Sequence, residues 1–139
     1  MIHFTVLGEP VAQGRPRTGK TRRGKTIVYD PSSSRDYKQY VQLVASQHAP
    51  EELLEGSLDL LIKVYRPIPK SFSKKKTAEA EAGVLRPVTK PDNTNYAKGI
   101  EDALNGVIYK DDSLIVDLHV SKYYSLKPRI VVEVSEVGK

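Results

Sequence analysis

The sequence contains no cysteine, and its 139 residues include only three histidines, at positions 3, 48 and 119. Without cysteine there is no disulfide scaffold, no thiolate zinc site and no cysteine nucleophile, and the composition fits a reducing compartment. The histidines are too scattered to favour a histidine-built zinc site. We therefore expect a cytoplasmic protein whose chemistry depends on carboxylate, amine and guanidinium groups.

Long hydrophobic runs are also absent, since the longest apolar stretches, such as Leu60 to Ile62, are three residues long. A helix that spans a bilayer needs about 20 apolar residues, and the first ten residues lack the regions of a signal peptide. We therefore expect no membrane partner. The length predicts one domain, residues 1–139, with a modest core.

Positive charge exceeds negative charge only modestly, at 22 Lys and Arg against 17 Asp and Glu, but it is clustered. Six cations and no acid lie within residues 14–25, namely Arg15, Arg17, Lys20, Arg22, Arg23 and Lys25. A second basic stretch contains Lys70, Lys74, Lys75 and Lys76. Cations on a backbone rich in glycine and proline favour binding to phosphodiesters. A solvated surface loop is the alternative interpretation.

Hydrophobic periodicity predicts an α+β fold in one domain. It consists of a mostly antiparallel or mixed sheet of about five strands with helices packed on one face. The predicted strands are 2–7, 26–29, 58–65, 114–124 and 130–134, and the predicted helices begin after residues 31–34, near 73 and at Asp92 or Asn93. Residues 8–25 are expected to form a long loop or loose hairpin. Pro128 predicts a turn that joins the last two strands as a hairpin.

One motif points to nucleotide binding and fails its context test. GRPRTGKT, residues 14–21, fits the pattern G-x-x-x-x-G-K-[ST] of a phosphate-binding loop. Such a loop must run from a strand into a helix, whereas a β-branched strand follows here. A nucleotide-binding fold of this kind also needs a buried parallel strand, for which the run from Leu114 is the candidate. Polar and apolar residues alternate toward Val120, whereas a central parallel strand would be continuously apolar. We therefore expect no nucleotide cofactor.

The segment from Lys90 to Asp112, KPDNTNYAKGIEDALNGVIYKDD, carries the acidic residues of interest. Asp92 stands where an extended prolyl segment enters a helix, and Asp111 and Asp112 precede the next strand. Carboxylates at a helix start and at a strand edge can converge, and such hard oxygen ligands suit Mg²⁺ or Mn²⁺. A metal held there can polarise a phosphoryl oxygen.

Each of these residues also has a simpler interpretation. Asp92 can serve only as an N-cap. Lys98 and Asp102, four residues apart, can form a surface ion pair. The pair Asp111 and Asp112 can belong to a turn.

The segments KPDNTNYAK, DALNG and KDDSLIV occur in the order and spacing of a known signature. The RusA-type Holliday junction resolvases of bacteria and phages carry K-P-D-x-D-N-x-x-K, then D-A-L-N-G-x, then D-D and a strand. GEPVAQGRPR also resembles their opening, G-x-P…G-R-P-R. The sequence thus resembles this family from Gly8 to about Lys122, which implies a RusA-like fold.

The resemblance implies a homodimeric, Mg²⁺-dependent endodeoxyribonuclease, with Mn²⁺ as a substitute, that nicks opposing strands of four-way DNA junctions in recombination and repair. Asp92 and Asp112 match the family's catalytic aspartates, and Lys98 matches its functional lysine. Asp92, Asp112 and Asp111 are the implied metal ligands. The basic residues of 14–25 and 74–76 are the expected DNA contacts.

Thr94 departs from the family pattern, because it replaces the second aspartate of the D-x-D pair. A hydroxyl is a weaker ligand than a carboxylate and carries no charge. Either Asp111, Asp102 or water completes the metal shell, or metal affinity and activity are reduced. Two alternatives to a resolvase follow. One is a branched-DNA binding protein with weakened catalysis, and the other is a basic nucleic-acid-binding module without catalysis.

Overall fold

Strand β4 (Leu58–Pro67) lies inside a four-stranded mixed sheet of order β1-β6-β4-β5. It pairs in parallel with β5 (Ile115–Ser125) and antiparallel with β6 (Arg129–Glu136), and β6 pairs with β1 (Ile2–Leu7). The computed structural model describes residues 1–13, 17–20, 26–29 and 32–138, with side chains for 1–13 and 34–138. A separate antiparallel pair is formed by β2 (Arg17–Lys20) and β3 (Thr26–Tyr29).

Three helices complete the described structure: α1 (Ser32–Ser46), α2 (Lys74–Glu81) and α3 (Asn93–Leu104). A short 3-10 turn, Asp112–Leu114, precedes β5. The predicted α+β class, its mixed sheet and all three helices are therefore confirmed. No helix among the described residues is long and apolar enough to cross a bilayer.

The predicted hairpin between the last two strands is wrong. β5 and β6 both pair with β4, which lies between them, so residues 126–128 arch over the end of β4. Leu58, Leu60, Ile62 and Val64 make β4 the strand with the most continuous buried face, and burial favours a central position for it. The more polar β5 takes the edge.

The core lies between the inner face of the sheet and the helices α1 and α3. Alternate residues of β4, β6 and β1 are fully or nearly fully buried there, together with Val41 and Ala45 of α1 and Ile100 and Leu104 of α3. Only one face of the sheet is covered in this way among the described residues. The opposite, outer face keeps side chains such as Leu61 and Lys63 partly exposed.

The basic segment follows the loose-hairpin prediction, because Arg17 and Lys20 belong to β2, which pairs with β3. The strand at 17–20 differs from the helix start that a phosphate loop of this pattern would require. The predicted DNA contacts Arg15, Arg22, Arg23 and Lys25 lie outside the described residues.

Replacement of Ile62 by alanine tests the assignment of the inner face. Ile62 is 0% exposed, so Ile62→Ala should lower the free energy of unfolding by about 2–5 kcal/mol through lost burial and a residual cavity. Leu43→Ala, on the exposed side of α1, should change it by less than about 0.5 kcal/mol, because Leu43 is already 62% exposed. Urea unfolding of both variants measures the difference. Equal losses would contradict the assignment.

Candidate active site

The chain enters α3 through a segment that is tied to the edge of the sheet. The Lys122 ammonium donates hydrogen bonds to the carbonyl oxygens of Thr89 (3.0 Å) and Pro91 (3.2 Å). Arg66, at the end of β4, donates to the same Thr89 carbonyl at 3.2 Å. Two cations from neighbouring strands therefore hold the residues that immediately precede Asp92.

The first turn of α3 is also attached to β5, since Asn93 Nδ2 donates to the carbonyl of Val120 at 3.3 Å. Nearby, Arg86 Nε donates to the carbonyl of Lys122 at 2.9 Å. Both acceptors belong to β5, the edge strand of the sheet. The N-terminus of α3 is consequently fixed along this edge.

Asp92 occupies the N-cap position of α3, but its side chain makes no capping hydrogen bond. The simple N-cap interpretation therefore does not account for its carboxylate, which is exposed. Thr94 is exposed in the first turn of the same helix. The helix start thus presents one carboxylate and one hydroxyl, with the carboxylate free of the helix backbone.

Lys98 forms the predicted ion pair with Asp102, at 3.1 Å between Nζ and Oδ1. The other oxygen of Asp102 lies 3.8 Å from Lys38 Nζ of α1. The hydrogen bond to Asp102 and its negative charge raise the pKa of Lys98 above the ordinary value. Lys98 therefore keeps its proton at neutral pH and offers a positive charge rather than a base.

The two aspartates before β5 have different surroundings. Asp111 caps the 3-10 turn by accepting a hydrogen bond from the Ser113 backbone N–H at 3.0 Å. Hydrogen bonds from Ser113 lower the pKa of Asp111. This contact agrees with the simpler interpretation of Asp111 as a turn residue. Asp112 is half-buried, and its negative charge acts on Lys98 of α3.

Glu101 also interacts electrostatically with Lys98 and Asp112, although the sequence analysis predicted no role for it. Burial and, next, the negative charge of Asp112 raise the pKa of Glu101. The buried Tyr109 hydroxyl donates to the Glu101 carbonyl at 2.9 Å and fixes the end of α3 against the turn before β5. One signal for Glu101 was available, because a residue three positions after Lys98 lies on the same side of a helix.

Lys98, Glu101 and Asp112 thus form one electrostatic group. Asp92 lies at the N-cap of α3, the helix that carries Lys98 and Glu101. Within the described ranges, no three His, Asp or Glu side chains are arranged to hold a metal ion. The donor chemistry nevertheless fits Mg²⁺, which takes one or two carboxylates and completes its shell with water and substrate phosphate. The negative charge of Asp112 raises the pKa of Glu101, and a bound cation would relieve that repulsion.

Three lysines of the second basic stretch lie on α2, away from this group along the chain. Lys74, Lys75 and Lys76 are exposed in its first turns, and the Lys76 backbone N–H is capped by Ser73. Lys76 Nζ lies 5.6 Å from the centre of the Phe72 ring. The predicted DNA-binding role of these lysines stays a prediction.

Comparison with known proteins agrees with the motif. The sequence model of the family described as Endodeoxyribonuclease RusA matches residues 8–135, nearly the whole chain. The chain belongs to the RusA family. The resemblance found in the sequence is thereby confirmed, and with it membership in a family of endodeoxyribonucleases. The chain is also 60% identical to the uncharacterized protein YqaN of Bacillus subtilis (strain 168), over 99% of this chain and 97% of that protein.

A substitution of Lys122 tests whether its hydrogen bonds attach the segment before α3 to the sheet in this RusA-family protein. Lys122→Met keeps the aliphatic stem but removes two charge-assisted hydrogen bonds, each worth about 1.5–3 kcal/mol. Amide hydrogen exchange in residues 89–97 should accelerate at least about tenfold, because local opening becomes easier. Lys127→Met, at an exposed lysine of the adjacent turn, is the matched control. Unchanged exchange in Lys122→Met would contradict the proposed attachment.

Proposed function

We propose that this protein is a Holliday junction resolvase, a Mg²⁺-dependent endodeoxyribonuclease that nicks opposing strands of four-way DNA junctions as a homodimer. The observation that carries the proposal is the electrostatic group on α3 and the turn before β5. In it, Lys98 and Asp112, both members of the family motif, interact with each other. Membership in the RusA family supports the same activity.

The roles of the residues follow from their protonation and positions. Lys98 is a cation fixed by Asp102, so it can neutralise the negative charge that develops on a phosphodiester during hydrolysis. Asp102 also contacts Lys38, which limits the freedom of the Lys98 side chain. Asp102 is therefore a positioning residue in this proposal, and Lys98 is the group that meets the substrate.

Asp92, Asp112 and Asp111 are the proposed metal ligands, and the Asp112–Glu101 pair makes Glu101 a further candidate. When bound, Mg²⁺ would polarise a phosphoryl oxygen and lower the pKa of a bound water. The free carboxylate of Asp92 supports its inclusion, because the helix makes no use of it. Asp111 is the weakest member, since one of its oxygens already accepts the Ser113 N–H.

Substitution of the two motif aspartates tests catalysis directly. Asp92→Asn and Asp112→Asn should each lower the rate of junction cleavage at least about a hundredfold, because each removes a charged metal ligand. Binding of the junction should be unchanged or tighter, since less negative charge repels DNA less. A synthetic four-way junction with and without Mg²⁺ gives cleavage by gel electrophoresis and binding by gel shift.

Glu51→Gln is the control for this pair, because it removes an exposed carboxylate outside the group. It should cleave at the wild-type rate. Full cleavage by Asp92→Asn or Asp112→Asn would remove that residue from the catalytic set. A wild type that binds the junction and never cuts it, at any Mg²⁺ concentration, would favour the weakened DNA-binding protein over the nuclease.

Thr94 provides a separate test of the metal site. Thr94→Asp restores the family carboxylate in the first turn of α3, where the helix N-terminus favours an anion, so the fold should tolerate it. If a ligand is missing, this variant should need several-fold less Mg²⁺ for half-maximal cleavage. Thr94→Asn, similar in size and uncharged, is the control. A wild type that is fully active at low Mg²⁺ and disabled by Asp111→Asn would contradict the missing-ligand idea.

Two opposing nicks need two equivalent active sites, which a two-fold dimer supplies. The outer face of the sheet supports such a dimer because its charges are segregated along the strands. Asp59 and Asp117 are neighbouring positions of β4 and β5 at one end. At the other end, the Arg129 guanidinium lies 3.8 Å from the centre of the Tyr65 ring. Lys63 lies between these ends on β4. A second copy rotated about an axis across the strands would set each basic end on an acidic end.

A charge exchange tests this dimer. Lys63 on β4 and Glu133 on β6 belong to adjacent strands, on either side of the centre of the outer face. The variants are Lys63→Glu, Glu133→Lys and the double variant that combines them. Each single variant should weaken the dimer at least about tenfold by placing like charges together, and the double variant should recover most of that loss. Lys70→Glu, on an exposed loop, is the control. Sedimentation equilibrium measures the constants, and a wild type that stays monomeric at micromolar concentration would contradict the proposal.

A further inference from the structure

A cavity of about 610 Å³ lies beside the start of α3, outside the electrostatic group described above. Its walls come from the segment after β1, from the end of β4, and from Pro91 with the first turn of α3. Pro91 immediately precedes Asp92, so the cavity adjoins a predicted catalytic residue. The volume lies within the range of about 300–1,000 Å³ that is typical of small-ligand sites.

The polar part of the cavity carries more positive than negative charge. Among the residues that the structure describes, Arg66 and Lys90 line it against the single acid Glu9. Arg66 is held in place by hydrogen bonds to the carbonyl (3.2 Å) and hydroxyl (3.3 Å) of Thr89. A positioned guanidinium beside a lysine favours an anion such as a phosphate.

An amide group is also available in the wall. Gln13 lines the cavity, and its Oε1 is buried with no hydrogen-bond donor among the described residues. The Gln13 backbone N–H donates to the Asn95 carbonyl at 3.2 Å, which anchors this segment on α3. This oxygen is closed off from water, so the amide must turn toward the cavity to accept an N–H from a ligand, and that contact would relieve the cost of a buried acceptor without a donor.

The remaining wall is apolar and stiff. It contains the rings of Pro10, Pro67 and Pro91, together with Val11 and the buried Tyr96. Apolar walls with a few convergent polar groups are typical of sites that bind small organic ligands. Enzymes that accommodate an unstacked base use the same combination of apolar surface and hydrogen-bonding groups.

We propose that this cavity receives one unstacked nucleotide of the DNA substrate, next to the strand that is cut. The base would lie among the proline side chains with an N–H directed to Gln13, and its phosphate would meet Arg66 and Lys90. The proposal rests on the proposed function, because it assumes that branched DNA is the substrate. It adds a site for a single nucleotide to that function.

The test uses four-way junctions in which 2-aminopurine replaces one base at a time around the exchange point. The protein is added at saturation in EDTA, so that no cleavage intervenes. Wild type should raise the fluorescence at one position at least about twofold, because an unstacked base loses quenching by its neighbours. Lys90→Ala and Gln13→Leu should abolish that rise at saturation, and Lys90→Arg should restore it.

Lys70→Ala is the matched control, since it removes the same charge from an exposed loop and should keep the fluorescence rise. Thermal unfolding verifies that Gln13→Leu is folded, and Lys90→Ala provides an independent variant at an exposed position. A junction that is bound without a fluorescence rise at any position, or a rise that survives both cavity variants, would overturn the nucleotide site and leave the resolvase proposal intact. A wild type that binds no junction would overturn both.

Discussion

Parallel pairing of β4 with β5 is the constraint on which the rest of this structure depends. Parallel neighbours need a long crossover connection, and here residues 68–114 make it and contain α2 and α3. Because Asn93 donates a hydrogen bond to the Val120 carbonyl, α3 starts beside the middle of β5. The chain after α3 then reaches the 3-10 turn that immediately precedes β5. The two halves of the family motif, around Asp92 and around Asp112, are thereby set along one edge of the sheet.

Much of this arrangement was accessible from the sequence, because it depends on local patterns. Apolar residues at positions 58, 60, 62 and 64 identified β4, and apolar spacing between Tyr96 and Leu104 identified α3 with its core-facing side. The i+4 spacing of Lys98 and Asp102 is sufficient to predict their ion pair. Motif order and spacing led to the family, since they are properties of the chain alone.

What the sequence left undetermined depends on partners that are distant along the chain. Alternation identifies β5 and β6 as strands without saying that β4 lies between them, and the turn at Pro128 wrongly favoured a hairpin. The pKa of Glu101 is raised first by burial and then by the charge of Asp112, eleven positions later. Whether an aspartate caps its own helix is likewise a matter of side-chain orientation, which a motif does not encode.

The side chains that attach α3 to β5 have a second effect, on solubility. An edge strand of eleven residues offers unpaired carbonyl groups to which another chain can add a strand. In β5 the carbonyls of Val120 and Lys122 are already occupied, by Asn93 and by Arg86. These contacts oppose strand addition at the middle of β5. The hydrogen bond that orients the functional helix therefore also limits edge-to-edge aggregation at this part of the sheet.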